Sequence, residues 1–161
     1  LPNDDNGTIF SKMSLLGRDV LIETLPKIIS GEVTGIKQDE TAVTFAPVIS
    51  PEQEKLSLDL TAQRLDYMIR ALRPQPGAYF ENFLNKRTKL WDINPLNEKT
   101  EYEAGVAIFV GKNKLKVAAA QGSVYEINEI QPAGKPKMTI GNFLNGQGQG
   151  IKAGQRIIID E

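Results

Sequence analysis

The chain has 161 residues, 40% of them apolar and 24% charged, with a formal net charge of −1 and neither cysteine nor histidine. This excludes disulfides, thiolate or imidazole metal sites, a Cys nucleophile and any Ser-His-Asp arrangement. No apolar run reaches the length needed to cross a bilayer. No basic-then-apolar leader opens the chain, and the absence of cysteine fits a reducing cytoplasm.

The first residue is Leu1, not methionine, which reads as a piece of something longer or as a removed tag. Residues 1–7 are turn-like. From Thr8 to Ser30, Ile9, Met13, Leu16 and Val20, then Leu21, Leu25 and Ile28, follow a helical period. Gly17 and Pro26 are weak points, so one helix or two are expected, with Gly31 as the stop. Residues 32–60 lack a regular period and are expected to form a surface connector between two bodies. Within them TAVTFAPVIS has room for one short extended piece, and the carboxylates of Asp39, Glu40, Glu52 and Glu54 are expected to be solvated.

Thr61–Arg73 is the clearest helix. Leu65, Met68, Ile69 and Leu72 make its apolar stripe, and Pro74 ends it. Turn signals then recur at short intervals. Strands are expected at 78–83, 87–93, 105–110, 114–120, 123–130 and 156–160, with hairpin turns at Asn85-Lys86, Asn113-Lys114 and Gln121-Gly122. The segment QPAGKPKMTIGNFLNG (131–146) reads as a strand end, then a rigid basic corner at Pro132, Gly134 and Pro136, then a short helix. Thr139 is its N-cap, Met138 and Phe143 form a staple, and Gly146 is its stop. The fold class is α+β, with N-terminal helices and a connector (1–31 and 32–60) followed by a helix and a small Greek-key barrel of the OB type (61–161).

Charge is uneven along this plan. Five Lys/Arg face ten acids through residue 61, and fourteen face ten afterwards. Residues 105–159 hold seven bases against Glu126 and Glu129, which points to a polyanion partner gripped through its backbone. Lys112, Lys114 and Lys116 alternate with Leu115 and Val117, so a strand sets same-face lysines ~6.6 Å apart. That row is either a phosphate track or the lysine guard of an edge strand. Lys135 and Lys137 add charge at the basic corner. Arg70 and Arg73 lie off the apolar stripe of their helix, with Asp66 placed to pair with Arg70. They either stabilise the helix or contact RNA, and Lys86, Arg87 and Lys89 on the first hairpin read alike. Trp91, Tyr79, Phe80 and Phe83 either stack on bases or fill the core. The NGQGQG run lacks the strand and the GK[ST] that a phosphate-cradling loop needs.

In order along the chain, GTIFSKMSLLGRDVLIETLP (7–26), KQDETAVTFAPVIS (37–50), IRALRPQPGAYF (69–80), KLWD (89–92), INEIQPAGKPKMTIGNFLNG (127–146) and IKAGQRI (151–157) resemble the C-terminal part of bacterial methionyl-tRNA formyltransferases. The resemblance implies an OB-like barrel beside a Rossmann-like formyl-transfer domain, helping to hold the acceptor arm of initiator tRNA. Residues 1–31 are then the closing helices of that catalytic domain, which becomes a partner of this chain. The resemblance also implies that the catalytic Asn, His and Asp and the formyltetrahydrofolate site lie upstream. This piece then holds no cofactor and is inactive alone. Family members often carry lysines around APKISKEE, where this chain reads APVISPEQEK with Val48 and Pro51, so the tRNA role shifts to the barrel lysines. Two other readings stand beside it. One is a structural or interaction barrel of another folate- or sugar-linked formyltransferase-like protein, without RNA binding. The other is a stand-alone enzyme using Asp, Glu and Lys.

Overall fold

The computed structural model describes residues 3–160; residues 1 and 2 of the turn-like opening, and residue 161, lie outside the described residues. Helix α1 (Asn6–Ile29) is continuous, not split. Asp5 caps it, accepting from the Thr8 backbone N–H, while the Asp5 backbone N–H donates to the Thr8 hydroxyl. Pro26 lies inside the helix, the fourth residue from its end, where it removes one backbone donor without ending the helix. Gly31, at φ +76°, stops it as expected. No residue of α1 is buried, and residues 31–49 are exposed throughout, with Phe45 90% accessible. The only regular structure in the connector is two 3-10 turns, Glu40–Ala42 and Pro51–Glu54.

The packed body starts at Leu56, which is fully buried and donates its N–H to Tyr79 O. Helix α2 (Ala62–Leu72) is capped by Thr61 and buries Leu65, Ile69 and Leu72 against the sheet. The sheet is antiparallel, from β1 (Tyr79–Phe83), β2 (Lys86–Lys99), β3 (Ala107–Gly111), β4 (Lys114–Ala118), β5 (Ser123–Pro132), β6 (Met138–Thr139) and β7 (Ile158–Ile159). Its order is β3-β4-β5-β2-β1-β7, with β6 also on β5. Its two ends meet: Ala107 N donates to Gln155 O and Ile157 N to Gly105 O, so the sheet curls into a barrel-like α+β body. Helix α3 (Ile140–Leu144) closes the interior. Thr139 is its cap, and Phe143 meets Phe83 edge to face at 5.9 Å.

Several boundaries differ from the sequence reading. The first hairpin turns at Leu84-Asn85, both at positive φ, one residue early. Leu84 accepts that strain because its N–H donates to Ile157 O and its side chain packs on the core. The second turn is Lys112-Asn113, because Gly111 pairs with Lys114. Strand β2 runs to Lys99 because β5 pairs with it along its whole length, to Lys99↔Ser123. The last strand shrinks to two residues, matching the short stretch of β1 left for it at Asn82 and Phe83.

Candidate nucleic-acid interface

Alternation along the strands sorts the basic residues. Leu115 and Val117 on β4, Leu90 and Ile93 on β2, and Ile127 and Ile130 on β5 point into the core. Lysines at the alternate positions therefore face outward. The register Lys89↔Gln131 and Thr88↔Pro132, with Ala133 N donating to Arg87 O, sets the start of β2 against the 132–135 turn. This brings Arg87, Lys89, Lys135 and Lys137 to one corner of the outer face; Lys86, in step with the inward Thr88 and Leu90, instead lines a separate cleft with Phe143 and Gln147.

Trp91 organises the corner. Its Nε1–H donates to Gln131 Oε1 at 2.9 Å, and Gln131 Nε2 donates to Lys135 O at 3.0 Å. Gly77 lies so close to the indole that any Cβ there would come within 2.6 Å of it. The ammonium groups of Lys89 and Lys137 lie 5.8 and 5.7 Å from the ring centroid, within cation–π range. Lys89 Nζ also donates to Pro76 O at 2.6 Å, and Lys137 pairs with Glu129. Arg87 stacks 4.5 Å above Tyr79 and pairs with Glu81, whose carboxylate raises the guanidinium pKa further and keeps it charged. A cleft of about 170 Å³ opens between Arg87, Lys89, Gln131 and the backbone of 132–134.

The other lysine row lies apart. Lys114 pairs with Glu126 at 3.2 Å, and Lys116 with Glu98 at 2.6 Å while lying 6.0 Å from the Phe109 ring; Lys112 is exposed in its turn. Glu126 and Asp92 lie between this row and the Trp91 corner on the same face, so the basic residues form two groups and not one continuous stripe.

Arg70 and Arg73 occupy a third place. Arg70 donates to Asp66 at 3.0 Å and to Asp4 O at 2.7 Å. Arg73 donates to Asp5 at 2.8 Å, Asp92 at 2.9 Å and Trp91 O at 3.0 Å. Partial burial works against the Arg73 charge, and the hydrogen bonds it donates to Asp5 and Asp92 outweigh that, so its pKa is raised. The two arginines join the start of α1 to α2 and β2 beside a polar cleft of about 620 Å³. Of the aromatics, Phe80, Phe83 and Tyr79 are buried, Tyr79 with Arg87 over its ring, and half-buried Trp91 carries cations. Sequence reasoning missed Gln131 and the partners Glu98, Glu126 and Asp5. Only Asp66–Arg70, at helical i, i+4 spacing, was visible without knowing the sheet.

The structure thus combines a curled antiparallel sheet, a cation-rich corner centred on Trp91 and a long helix whose apolar residues are exposed. Residues 48–148 match the family described as "Formyl transferase, C-terminal domain", and the chain belongs to that family. It is 63% identical over 98% of its length to a protein of Ligilactobacillus salivarius named methionyl-tRNA formyltransferase, covering 50% of that protein. It is 50% identical over 98% of its length to the Lacticaseibacillus casei protein of the same name, covering 49% of it. The chain thus spans about half the length of these curated relatives. Among solved structures, a variant of HypX from Aquifex aeolicus superposes with a TM-score of 0.69 at 16% identity, over 93% of this chain and 27% of that one. HypX in complex with tetrahydrofolic acid superposes with a TM-score of 0.62 at 17% identity, over 84% of this chain and 24% of that one. At such identities the likeness is one of fold.

Proposed function

We propose that this chain is the tRNA-positioning C-terminal half of a methionyl-tRNA formyltransferase acting in the cytoplasm. A preceding half carries the catalytic residues and moves the formyl group from formyltetrahydrofolate to initiator Met-tRNA. The curled sheet is an OB-like barrel whose cations neutralise tRNA phosphates, and 61–161 is the unit that carries it. Residues 1–31 belong structurally to the preceding half, and 32–60 link the two. The observation that carries this reading is the pairing of the Trp91-centred basic corner with the uncovered apolar surface of α1. The corner suits a polyanion, and α1 suits a protein partner that residues 3–160 do not supply. No acid–base chemistry is assigned to the fragment, which is expected to show no formyl transfer alone.

A gel shift with initiator tRNA from low to moderate salt tests the reading. Binding is expected to weaken steeply with salt and to depend little on sequence, as phosphate contacts do. No shift at low salt overturns it in favour of a purely structural or protein-interaction barrel. That second reading draws on the carboxylates already paired with Lys114, Lys116 and Lys137.

A further inference from the structure

Resting on the RNA-binding reading, we propose that one phosphate of the RNA strand is held in the cleft between Arg87, Lys89 and residues 132–134, with Lys135 next to it in the chain, and that the Lys114–Lys116 row contributes little. The difference lies in what each cation already touches. Lys114 and Lys116 each hold a glutamate. To neutralise a phosphate they must give up that pair or bring the carboxylate against the anion, and the net attraction is correspondingly small. Among the described residues Lys89 has no carboxylate partner; it is held in place by neutral groups, the Pro76 carbonyl and the Trp91 ring, which leave its charge uncompensated. Lys135 is exposed and makes no ion pair among the described residues. Arg87 is paired with Glu81 yet keeps an edge on the same cleft, and a guanidinium has five donors to distribute. No carboxylate lines the cleft. Its turn also holds Gly134 at φ +73°, whose N–H makes no hydrogen bond among the described residues and is a further donor for an anion.

The subsite is also preorganised. Gln131 fixes the indole on one side and the Lys135 carbonyl on the other, so the rim of the cleft is set before any ligand arrives. Its volume of about 170 Å³ suits a single phosphate group and not a stretch of duplex.

The test measures initiator tRNA affinity of this chain by filter binding over a salt series. It compares Lys89→Gln and Lys135→Gln with Lys114→Gln and Lys116→Gln. The first two are each expected to weaken binding about three- to tenfold, and their double variant to make the log–log salt slope shallower by about one. The second two are expected to change affinity less than about twofold. The Lys135 side chain has no partner among the described residues and sits in an exposed turn, so Lys135→Gln leaves folding untouched and keeps the result readable if Lys89→Gln disturbs Trp91. If the unaltered chain binds but the β4 variants lose as much as the corner variants, the subsite is wrong and the RNA reading survives. If the unaltered chain does not bind at low salt, the RNA reading fails and the subsite with it.

Discussion

Arg73→Ala is the most informative single change, because Arg73 is the joint between α1 and the folded body. It removes an ion pair to Asp5 at 2.8 Å, another to Asp92 at 2.9 Å and a hydrogen bond to Trp91 O. The Arg73 side chain is 21% exposed, which places it between two regimes. Fully exposed pairs contribute ~0.5 kcal/mol each, and breaking a buried pair costs ~3–5 kcal/mol. We therefore expect a loss of about 2 kcal/mol, lowering Tm by roughly 8 °C for a body of this size. Urea unfolding followed by emission of Trp91, the sole tryptophan, reads the body; limited proteolysis reads α1. Asp5→Asn separates the two arms, because Asn caps a helix as well as Asp and only the charge is lost. It should speed cleavage within α1 and leave the Trp91 transition nearly unchanged. Acid does the same. The Thr8 backbone N–H, the Arg73 guanidinium and the Thr8 hydroxyl hold the Asp5 carboxyl below its ordinary 3.8. A depressed pKa contributes stability in full above the unfolded value and loses it as pH falls through the folded one. The α1 anchor should hold at neutral pH and loosen only below 3.8. If Arg73→Ala unfolds like the unaltered chain and α1 is cut no faster, the joint is not what holds α1.

Gly105→Ala should cost about 2–3 kcal/mol, since Gly105 sits at φ +87° where the sheet ends meet and a Cβ there would lie 2.4 Å from Ile158 O. A urea midpoint within error of the unaltered chain contradicts that view of the closure. Tyr125→Phe should raise stability by about 1 kcal/mol, because the hydroxyl is fully buried with no hydrogen-bond partner among the described residues. Burial also pushes its pKa far up. A large loss on calorimetry instead implies a partner for that hydroxyl. Leu16→Asp and Val20→Asp lie on an exposed face, so this chain's own stability should move by less than about 0.5 kcal/mol. On the proposed function, association with the proposed catalytic half supplied in trans should fall at least tenfold by sedimentation, and unchanged association counts against α1 as the docking surface.

The sequence shows α2 almost to the residue, because its stripe, cap and stop all lie within thirteen neighbours. The alternation of Leu115 and Val117 with the lysines was legible for the same local reason. Turn positions were not, because Asn-rich dipeptides mark a hairpin while the turn residue is set by what the chain packs on. Leu84 takes a positive φ to keep its contact with Ile157 O. The lysine row looked free on paper because each carboxylate partner comes from another strand. Lys116 meets Glu98, eighteen residues away, and Arg73 meets Asp5, sixty-eight away. Pairing at those separations depends on register, and register depends on the whole sheet.

The two features behind the functional reading are not independent in the structure. From Asp5 at the start of α1, Arg73 reaches Trp91 O on β2 at 3.0 Å. The indole of the same residue donates to Gln131 on β5, and Gln131 donates to the carbonyl of Lys135. One run of hydrogen bonds, half-buried except for the exposed last one, thus joins the foot of the exposed helix to the basic corner through a single tryptophan. A protein partner seated on α1 and an anion seated at the corner would both bear on the 89–92 segment of β2. The spacing between what α1 carries and what the corner grips is then set by the same few side chains. A positioning module needs this property, because its usefulness lies in a fixed distance between two bound bodies and not in the strength of either contact.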